Sequence, residues 1–266
     1  MKKILVTGYK GYIGQHLCKM LMKISDVEVI GIDKVDNIVD ITYNVPKIEV
    51  DTVIHLAALV KVGESVEKPT MYYNTNINGT NNVLNNVKYN HFIFASTGAA
   101  ENPVSPYGLS KRAAEDIVKE YSRVNKTDFT IFRFYNVIGS DGFEPTNPDG
   151  LFYNLMKAED RGYINVYGDD YDTFDGTCIR EYIHVNDICR GIINAIDNPA
   201  NQIENLAYGD PHSVKQIIET YKHVNNVEFS VNFLPKRDGD LAETYLKSPS
   251  SYMECNYSYE DMLKIQ

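Results

Sequence analysis

The order of its segments predicts an α/β protein: a doubly wound parallel sheet covered on both faces, with a smaller lobe supplied by the second half. Three observations predict it. Strand-like and helix-like stretches alternate up to about Asn136, and a glycine-rich turn follows the first strand. After Val137 the texture changes, with Gly139, Gly142, Pro145, Pro148 and Gly150 crowded into one loop.

The elements follow in order. Lys3 to Thr7 is a short aliphatic run ending at a glycine. Ile13, Leu17, Leu21 and Met22 then recur at helical spacing. Val27 to Ile32 forms a second strand ending at Asp33, and Val53 to Leu56 a third, followed by Ala57 and Ala58. A helix is expected from Met71 to Val87, a buried strand from His91 to Ser96, and a helix from Pro106 to about Val124. Phe129 to Phe134 is the next strand, and Tyr182 to Val185 reads as a strand returning to the sheet. The remaining residues should form a lobe over the carboxyl ends of the strands, where open α/β sheets take ligands.

Composition narrows the classes. The 266 residues carry a net charge of −10, with 43% hydrophobic and 23% charged residues, so a sizeable core is available. Such a balance excludes a general nucleic-acid binder, which needs a basic face for phosphates. No apolar run is long enough to cross a membrane, and the opening Ile4-Leu5-Val6 stops at Thr7-Gly8, too soon for a signal peptide. Cys18, Cys178, Cys189 and Cys255 show no metal-ligand or disulfide spacing, and the six histidines are dispersed. The expectation is a cytoplasmic protein with reduced thiols and no metal.

Gly8-Tyr9-Lys10-Gly11-Tyr12-Ile13-Gly14 sits between the first strand and first helix. Glycine permits the tight turn and leaves no side chain where a pyrophosphate approaches the helix amides. Asp33, at the end of strand two, is placed to accept from ribose hydroxyls and to repel a 2′-phosphate. This predicts a Rossmann-type dinucleotide site for NAD in preference to NADP.

Tyr107-Gly108-Leu109-Ser110-Lys111 places a phenol and an amine on one helix face. A nearby ammonium and a cationic nicotinamide should both favour the phenolate of Tyr107. The spacing also occurs at Tyr43…Lys47 and Tyr153…Lys157. Only Tyr107 follows a strand ending in hydroxyls, Ser96-Thr97, and opens a helix after a proline.

With these residues in place the chain resembles the UDP-glucose (UDP-galactose) 4-epimerases, extended short-chain dehydrogenase/reductases of the NAD-dependent epimerase/dehydratase group, over nearly its whole length. The resemblance is carried by His55-Leu56-Ala57-Ala58, Val62-Gly63-Glu64-Ser65-Val66 and Tyr72-Tyr73…Asn76…Asn78-Gly79-Thr80. It continues through Ser105-Pro106-Tyr107 to Lys111, Arg133-Phe134-Tyr135-Asn136, Asp175-Gly176-Thr177…Arg180-Glu181-Tyr182-Ile183-His184-Val185 and Arg237-Asp238-Gly239-Asp240-Leu241. It implies NAD contacts from Gly8, Gly11, Tyr12, Ile13, Gly14, Asp33, Asp40, Ile41, Leu56, Ala57, Ala58, Asn76, Ser96, Tyr107, Lys111 and Tyr135. It implies catalysis by Tyr107, Lys111 and Thr97. Substrate contacts follow from Thr97, Tyr107, Asn136 and Asn154, from Arg180 and Arg237 at a diphosphate, and from Asp240 at the uridine ribose.

The same resemblance implies an NAD-binding domain of 1–136 plus about 181–206, and a substrate lobe of about 137–180 and 207–266. It also implies a homodimer pairing through helices near 71–87 and 107–123. The activity implied is inversion of C4 of a UDP-hexose through a 4-keto sugar. Alternatives are an epimerase for UDP-N-acetylhexosamines, with Thr244 near the C2 substituent, a dehydratase or decarboxylase, and a non-catalytic NAD-binding sensor. Gly98 and Ala99, where a dehydratase has acids, count against that class. The chain departs from the pattern in a short Asp33–Asp51 stretch, a short Gly98–Val104 loop, an early C-terminus, and Val60 where a cofactor-contacting lysine is usual, with Lys61 adjacent.

Overall fold

The computed structural model describes residues 1–35, 39–237, 240–246 and 254–265. It divides into two compact units, Met1–Phe134 with Cys189–Asn205, and Tyr135–Ile188 with Leu206–Gln266.

The chain opens with β1 (Lys2–Thr7), α1 (Tyr12–Leu21) and β2 (Val27–Ile32), then β3 (Ile48–Glu49) and β4 (Thr52–His55). The helix expected over 71–87 is a composite of α3 (Pro69–Tyr72), a π-helical stretch Tyr73–Asn78 and α4 (Gly79–Asn86), preceded by the short α2 (Val62–Glu67). β5 (Val87–Lys88), β6 (His91–Thr97), α5 (Pro106–Asn125) and β7 (Asp128–Phe134) complete this stretch. α5 starts where it does because Pro106 is pre-set for the first helical position and the Ser105 hydroxyl accepts the Gly108 amide at 3.2 Å.

The second unit takes β8 (Asn136–Ile138), α6 (Leu151–Met156), α7 (Ala158–Arg161), β9 (Tyr163–Tyr167), β10 (Ile179–Arg180) and β11 (Tyr182–His184). α8 (Val185–Asp197) and β12 (Ile203–Leu206) follow, most of both belonging to the first unit. β13 (His212–Ser213), α9 (Val214–Asn225), β14 (Ser230–Leu234), β15 (Glu243–Thr244) and α10 (Tyr259–Leu263) finish the second.

The six-stranded sheet of the first unit has the order β12-β7-β6-β4-β1-β2. β1 pairs in parallel with both β2 and β4, so the strand order reverses beside β1 and the crevice there opens next to the glycine turn. Leu5, Val53, Phe92, Phe94 and Ile131 are fully buried against Val83 and Leu84 of α4 and Ala114 and Val118 of α5. Burying each large side chain is worth about 1.5–3 kcal/mol. The short Asp33–Asp51 stretch has a visible consequence. Among its described residues the one strand is β3, which pairs with β5, and β2 ends the sheet.

Two expectations need correction. Tyr182–His184 does not return to the main sheet: β11 pairs with β8 in a sheet of its own, Tyr182 opposite Asn136. The strand beside β7 is β12, whose Ile203-Glu204-Asn205-Leu206 has too few apolar residues to announce itself. Because β8 pairs with β11, Tyr135, Asn136 and Glu181–Ile188 fall in the second unit and not in the first. That unit has its own core, with Ile138, Phe152, Leu155, Ile217, Tyr221 and Leu263.

Candidate active site

Gly8 takes φ +72°, and a Cβ there would lie 2.8 Å from the Ala57 nitrogen. On α1, a Cβ at Gly14 would lie 2.4 Å from the Gly8 carbonyl oxygen. These approaches press turn, helix and strand end together in a way no other residue allows. Gly11 is the N-cap of α1 and makes no side-chain cap hydrogen bond, so no side chain occupies the start of this helix. The Asp33 carboxylate receives the amides of Lys10 and Val35, each at 3.2 Å, and retains acceptor capacity.

Several residues read as cofactor contacts have protein partners of their own. Asp40 Oδ1 accepts the Thr42 amide and hydroxyl at 2.8 and 2.6 Å, which holds its carboxyl below the usual range. Ile41 is buried in the sheet core and packs on Gly79, where a Cβ would lie 2.7 Å from its Cδ1. Asn76 accepts the Leu59 amide at 2.8 Å and donates to the Leu59 carbonyl at 3.0 Å and to Ser110 Oγ at 2.9 Å. The Ser96 hydroxyl donates to Glu115, whose carboxylate holds Arg133 through bonds of 2.9 and 2.8 Å. That buried ion pair was invisible in the sequence, since its members lie 18 positions apart on different elements.

Leu56, Ala57 and Ala58 leave β4 beside a chain of hydrogen bonds centred on His55, which is fully enclosed. The Ala57 amide donates to Thr7 Oγ1 at 3.2 Å, and Thr7 Oγ1 lies 2.7 Å from His55 Nδ1. His55 Nε2 lies 3.0 Å from Thr80 Oγ1, which donates to the Asn76 carbonyl at 2.7 Å. Because Thr80 already donates elsewhere, the imidazole proton is assigned to Nε2, and Nδ1 accepts from Thr7. Burial, with Lys111 adding to it, pushes His55 down to about 3.

Tyr107 and Lys111 lie on the first turns of α5, both buried. Gly108 lets the helix close on the turn after β6: a Cβ there would lie 2.6 Å from the Ala99 carbonyl oxygen. Thr97 caps that turn, its hydroxyl receiving the Ala99 amide at 3.3 Å. The Lys111 ammonium rests 4.1 Å above the Phe94 ring and has no hydrogen-bond acceptor among the described residues. Burial pushes Lys111 down to about 7, against the upward pull of Glu115. Burial also pushes Tyr107 up to about 12, with the adjacent Thr97 hydroxyl opposing. The expected acidic phenol is therefore not produced by the chain's own groups, because desolvation outweighs the Thr97 hydrogen bond.

In the second unit Arg180, Arg237 and Asp240 come together. Arg180 donates to the carbonyls of Ile179 at 3.0 Å and Ala242 at 3.3 Å, with Asp240 4.0 Å away. The Arg237 guanidinium stacks 3.7 Å from the Tyr167 ring centroid, and its carbonyl receives the Asp240 amide at 3.2 Å. Asp238 and Gly239, between them in the motif, lie outside the described residues. Asn136 is exposed and donates to the Glu181 carbonyl at 3.0 Å, and Tyr135 is half-buried. Asn154 stands apart, donating to the Pro148 and Gly150 carbonyls at 2.8 and 2.9 Å. Glu181, quoted in the sequence motif without a role, is a buried carboxylate that receives the Tyr208 and Gly209 amides at 2.8 and 2.9 Å. Tyr43 is largely exposed and Lys157 is paired with Glu144, so neither alternative Tyr/Lys spacing forms a comparable site.

The signature described as the NAD dependent epimerase/dehydratase family matches residues 4–208. The UDP-glucose 4-epimerase of Erwinia amylovora is 31% identical over 96% of this chain and 92% of its own length. That alignment spans 312 positions, more than the 266 residues of the chain, so the relative carries insertions within the aligned region. Among solved structures, the Bifidobacterium longum UDP-glucose 4-epimerase in complex with NAD+ and UDP superposes with TM-score 0.86 at 27% identity, over 98% of this chain and 96% of that one. The UDP-Glc/GlcNAc 4-epimerase of Campylobacter jejuni does so at 0.78 and 29%, over 99% and 96%. The chain belongs to the NAD dependent epimerase/dehydratase family.

Proposed function

We propose that this protein inverts C4 of a UDP-hexose of the UDP-glucose and UDP-galactose type, with NAD held as a resident cofactor and a 4-keto sugar between the two epimers. The observation that carries this reading is the set of buried Tyr107 and Lys111 with half-buried Thr97, in which a phenol has a hydroxyl beside it and an amine one helical turn on. The residues fit NAD: the glycine turn admits no side chain, Asp33 offers carboxylate oxygen, and Lys111 has donors without acceptors. When bound, NAD supplies the two-electron acceptor that oxidises C4 and then gives the electrons back.

Tyr107 takes the O4 proton and returns it, and Thr97 orients O4. Lys111, near 7, stands at the edge of protonation, so one added acceptor at its amine makes it an ammonium that lowers Tyr107 in turn. Arg180 and Arg237 take the diphosphate with planar donor forks. Asp240 takes the uridine ribose, and Asn136 and Asn154 supply further polar contacts. The first unit accordingly serves NAD and the reacting O4, and the second the nucleotide part of the substrate. The bound NAD+ and UDP of the B. longum enzyme support this reading.

We read the protein also as a cytoplasmic homodimer. Among the described residues no helix is long and apolar enough to cross a membrane. A groove along α4 and α5 presents Ile117, Tyr121 and Val124 between Asp116 and Glu120, which supports pairing of these helices across a two-fold.

A UDP-N-acetylhexosamine is the second reading: Thr244, which the resemblance sets near the C2 substituent, pairs with Arg180 in the β10–β15 register. Incubating the purified protein with UDP-galactose and no added NAD tests the main reading. Conversion to UDP-glucose is expected, and UDP-N-acetylglucosamine assayed alongside decides the second substrate. Bound cofactor without turnover of any UDP-sugar would instead make the protein a sensor.

A further inference from the structure

We infer that Tyr72, with Glu64 as its acceptor, is a positioning residue that braces the Tyr107 ring and the loop after β4 together, an inference resting on the role proposed above for Tyr107. Tyr72 ends α3 and is fully buried. Its ring meets that of Tyr107 edge-on, with centroids 6.4 Å apart and planes at 79°. Its hydroxyl donates to Glu64 Oε2 at 3.1 Å and receives the Lys61 amide at 3.1 Å. The other Glu64 oxygen receives Lys68 Nζ at 3.3 Å.

Phenylalanine would suffice at position 72 if the ring alone mattered. The hydroxyl adds a hold on Lys61, the N-cap of α2, which no side chain caps. Four residues further on, Asn76 clamps Leu59 by both its amide and its carbonyl and reaches Ser110, whose hydroxyl donates to the Tyr107 carbonyl at 2.7 Å. Residues 72 and 76 lie on the same face of one helical run, and the π-helical stretch between α3 and α4 begins at Tyr73. One side of this run therefore ties residues 59–64 to the turn of α5 that carries Tyr107. The loop it holds is the direct continuation of Leu56-Ala57-Ala58. Freedom of the phenol costs proton transfer in the reacting complex, whereas a free loop costs retention of whatever lies against it.

Four variants separate ring from hydroxyl. Tyr72→Phe keeps the ring, Tyr72→Leu removes both, Glu64→Ala removes the acceptor and Glu64→Gln restores one. Hydrogen–deuterium exchange over residues 57–68 of the purified full-length chain is the first readout. Loss of one such hydrogen bond is expected to speed exchange there about five- to tenfold in Tyr72→Phe and Glu64→Ala, with Glu64→Gln close to wild type. The second readout is epimerisation of UDP-galactose with saturating NAD across pH. Tyr72→Phe is expected to lower kcat about threefold and Tyr72→Leu about thirtyfold, with KM unchanged and the pH profile displaced in Tyr72→Leu.

Unchanged exchange in Tyr72→Phe overturns the inference, as does a Tyr72→Leu variant that folds and shows no larger kcat loss than Tyr72→Phe. Should Tyr72→Leu fail to fold, exchange in Tyr72→Phe and Glu64→Ala decides alone. Tyr107→Phe run in parallel isolates the underlying reading: if it still epimerises, the assignment of Tyr107 fails, and the brace is judged on exchange.

Discussion

The two units hold their candidate residues by different means. In the first, Tyr107 and Lys111 sit on a 20-residue helix, and their neighbours Asn76, Ser110, Ser96 and Glu115 have their polar atoms matched by protein partners. In the second, Arg180 lies on a two-residue strand and Arg237 on the loop after β14, one reaching carbonyls and the other a ring face. Rigid seating suits groups that must meet a reacting atom within a fraction of an ångström, and looser seating suits charges that follow a flexible diphosphate. The difference teaches where to expect losses in rate and where losses in affinity.

Tyr107→Phe should break the first unit's contribution outright, lowering kcat for UDP-galactose about 10²–10⁴-fold with unfolding temperature little changed. If Arg180→Met cost as much in kcat, the division between the units would fall. Lys111→Met should lower turnover about 10²-fold and yet raise Tm by about 2–4 °C, because an amine without an acceptor is removed from the interior. It should also alter the pH dependence of stability. Folding moves Lys111 from an ordinary value of about 10.4 down to about 7, so between those values the unfolded chain holds the extra proton and stability rises with pH. Denaturant midpoints measured from pH 7 to 10 should show that rise diminished in Lys111→Met.

On the other side of the comparison, Arg180→Met should raise KM for the UDP-sugar about tenfold with a smaller change in kcat, and exposed Arg237→Met about threefold. Steady-state kinetics on both variants give the ratio. The last effect is one of slope. His55 sits near 3 and His91 near 4 when folded, both lowered chiefly by burial, so stability is lost as pH falls from about 6.5. Each contributes up to about 1.4 kcal/mol per pH unit in that window. His55→Asn should flatten the acid limb seen in chemical denaturation, and an unaltered slope would remove His55 from the account.

The candidate site was legible in outline. Glycines at 8, 11 and 14 and the Tyr107–Lys111 spacing announce themselves because the turn and the helix are local, and Ser96-Thr97 with Pro106 singled out from three the tyrosine that lies buried at the start of α5. What lay hidden joins residues far apart in the chain. Asn76 reaches Leu59 and Ser110, His55 reaches Thr7 and Thr80, and Glu115 reaches Arg133. No periodicity encodes such pairs. β12 escaped for a different reason: an edge strand of four residues needs little apolar content, and Ile203 and Leu206 supply all of it.

The interleaving of the two units has a consequence for synthesis. Neither unit is a contiguous piece of chain: the first waits for residues 189–205 to add the end of α8 and its rim strand, and the second waits for Met262 and Leu263 to close its core. As the polypeptide emerges amino end first, β1 to β7 can assemble early but must stand with one border bare while residues 135–188 are made. A ribosome pausing within that interval would display a sheet lacking its edge strand β12, so translation speed there should affect how much of the protein reaches its native state.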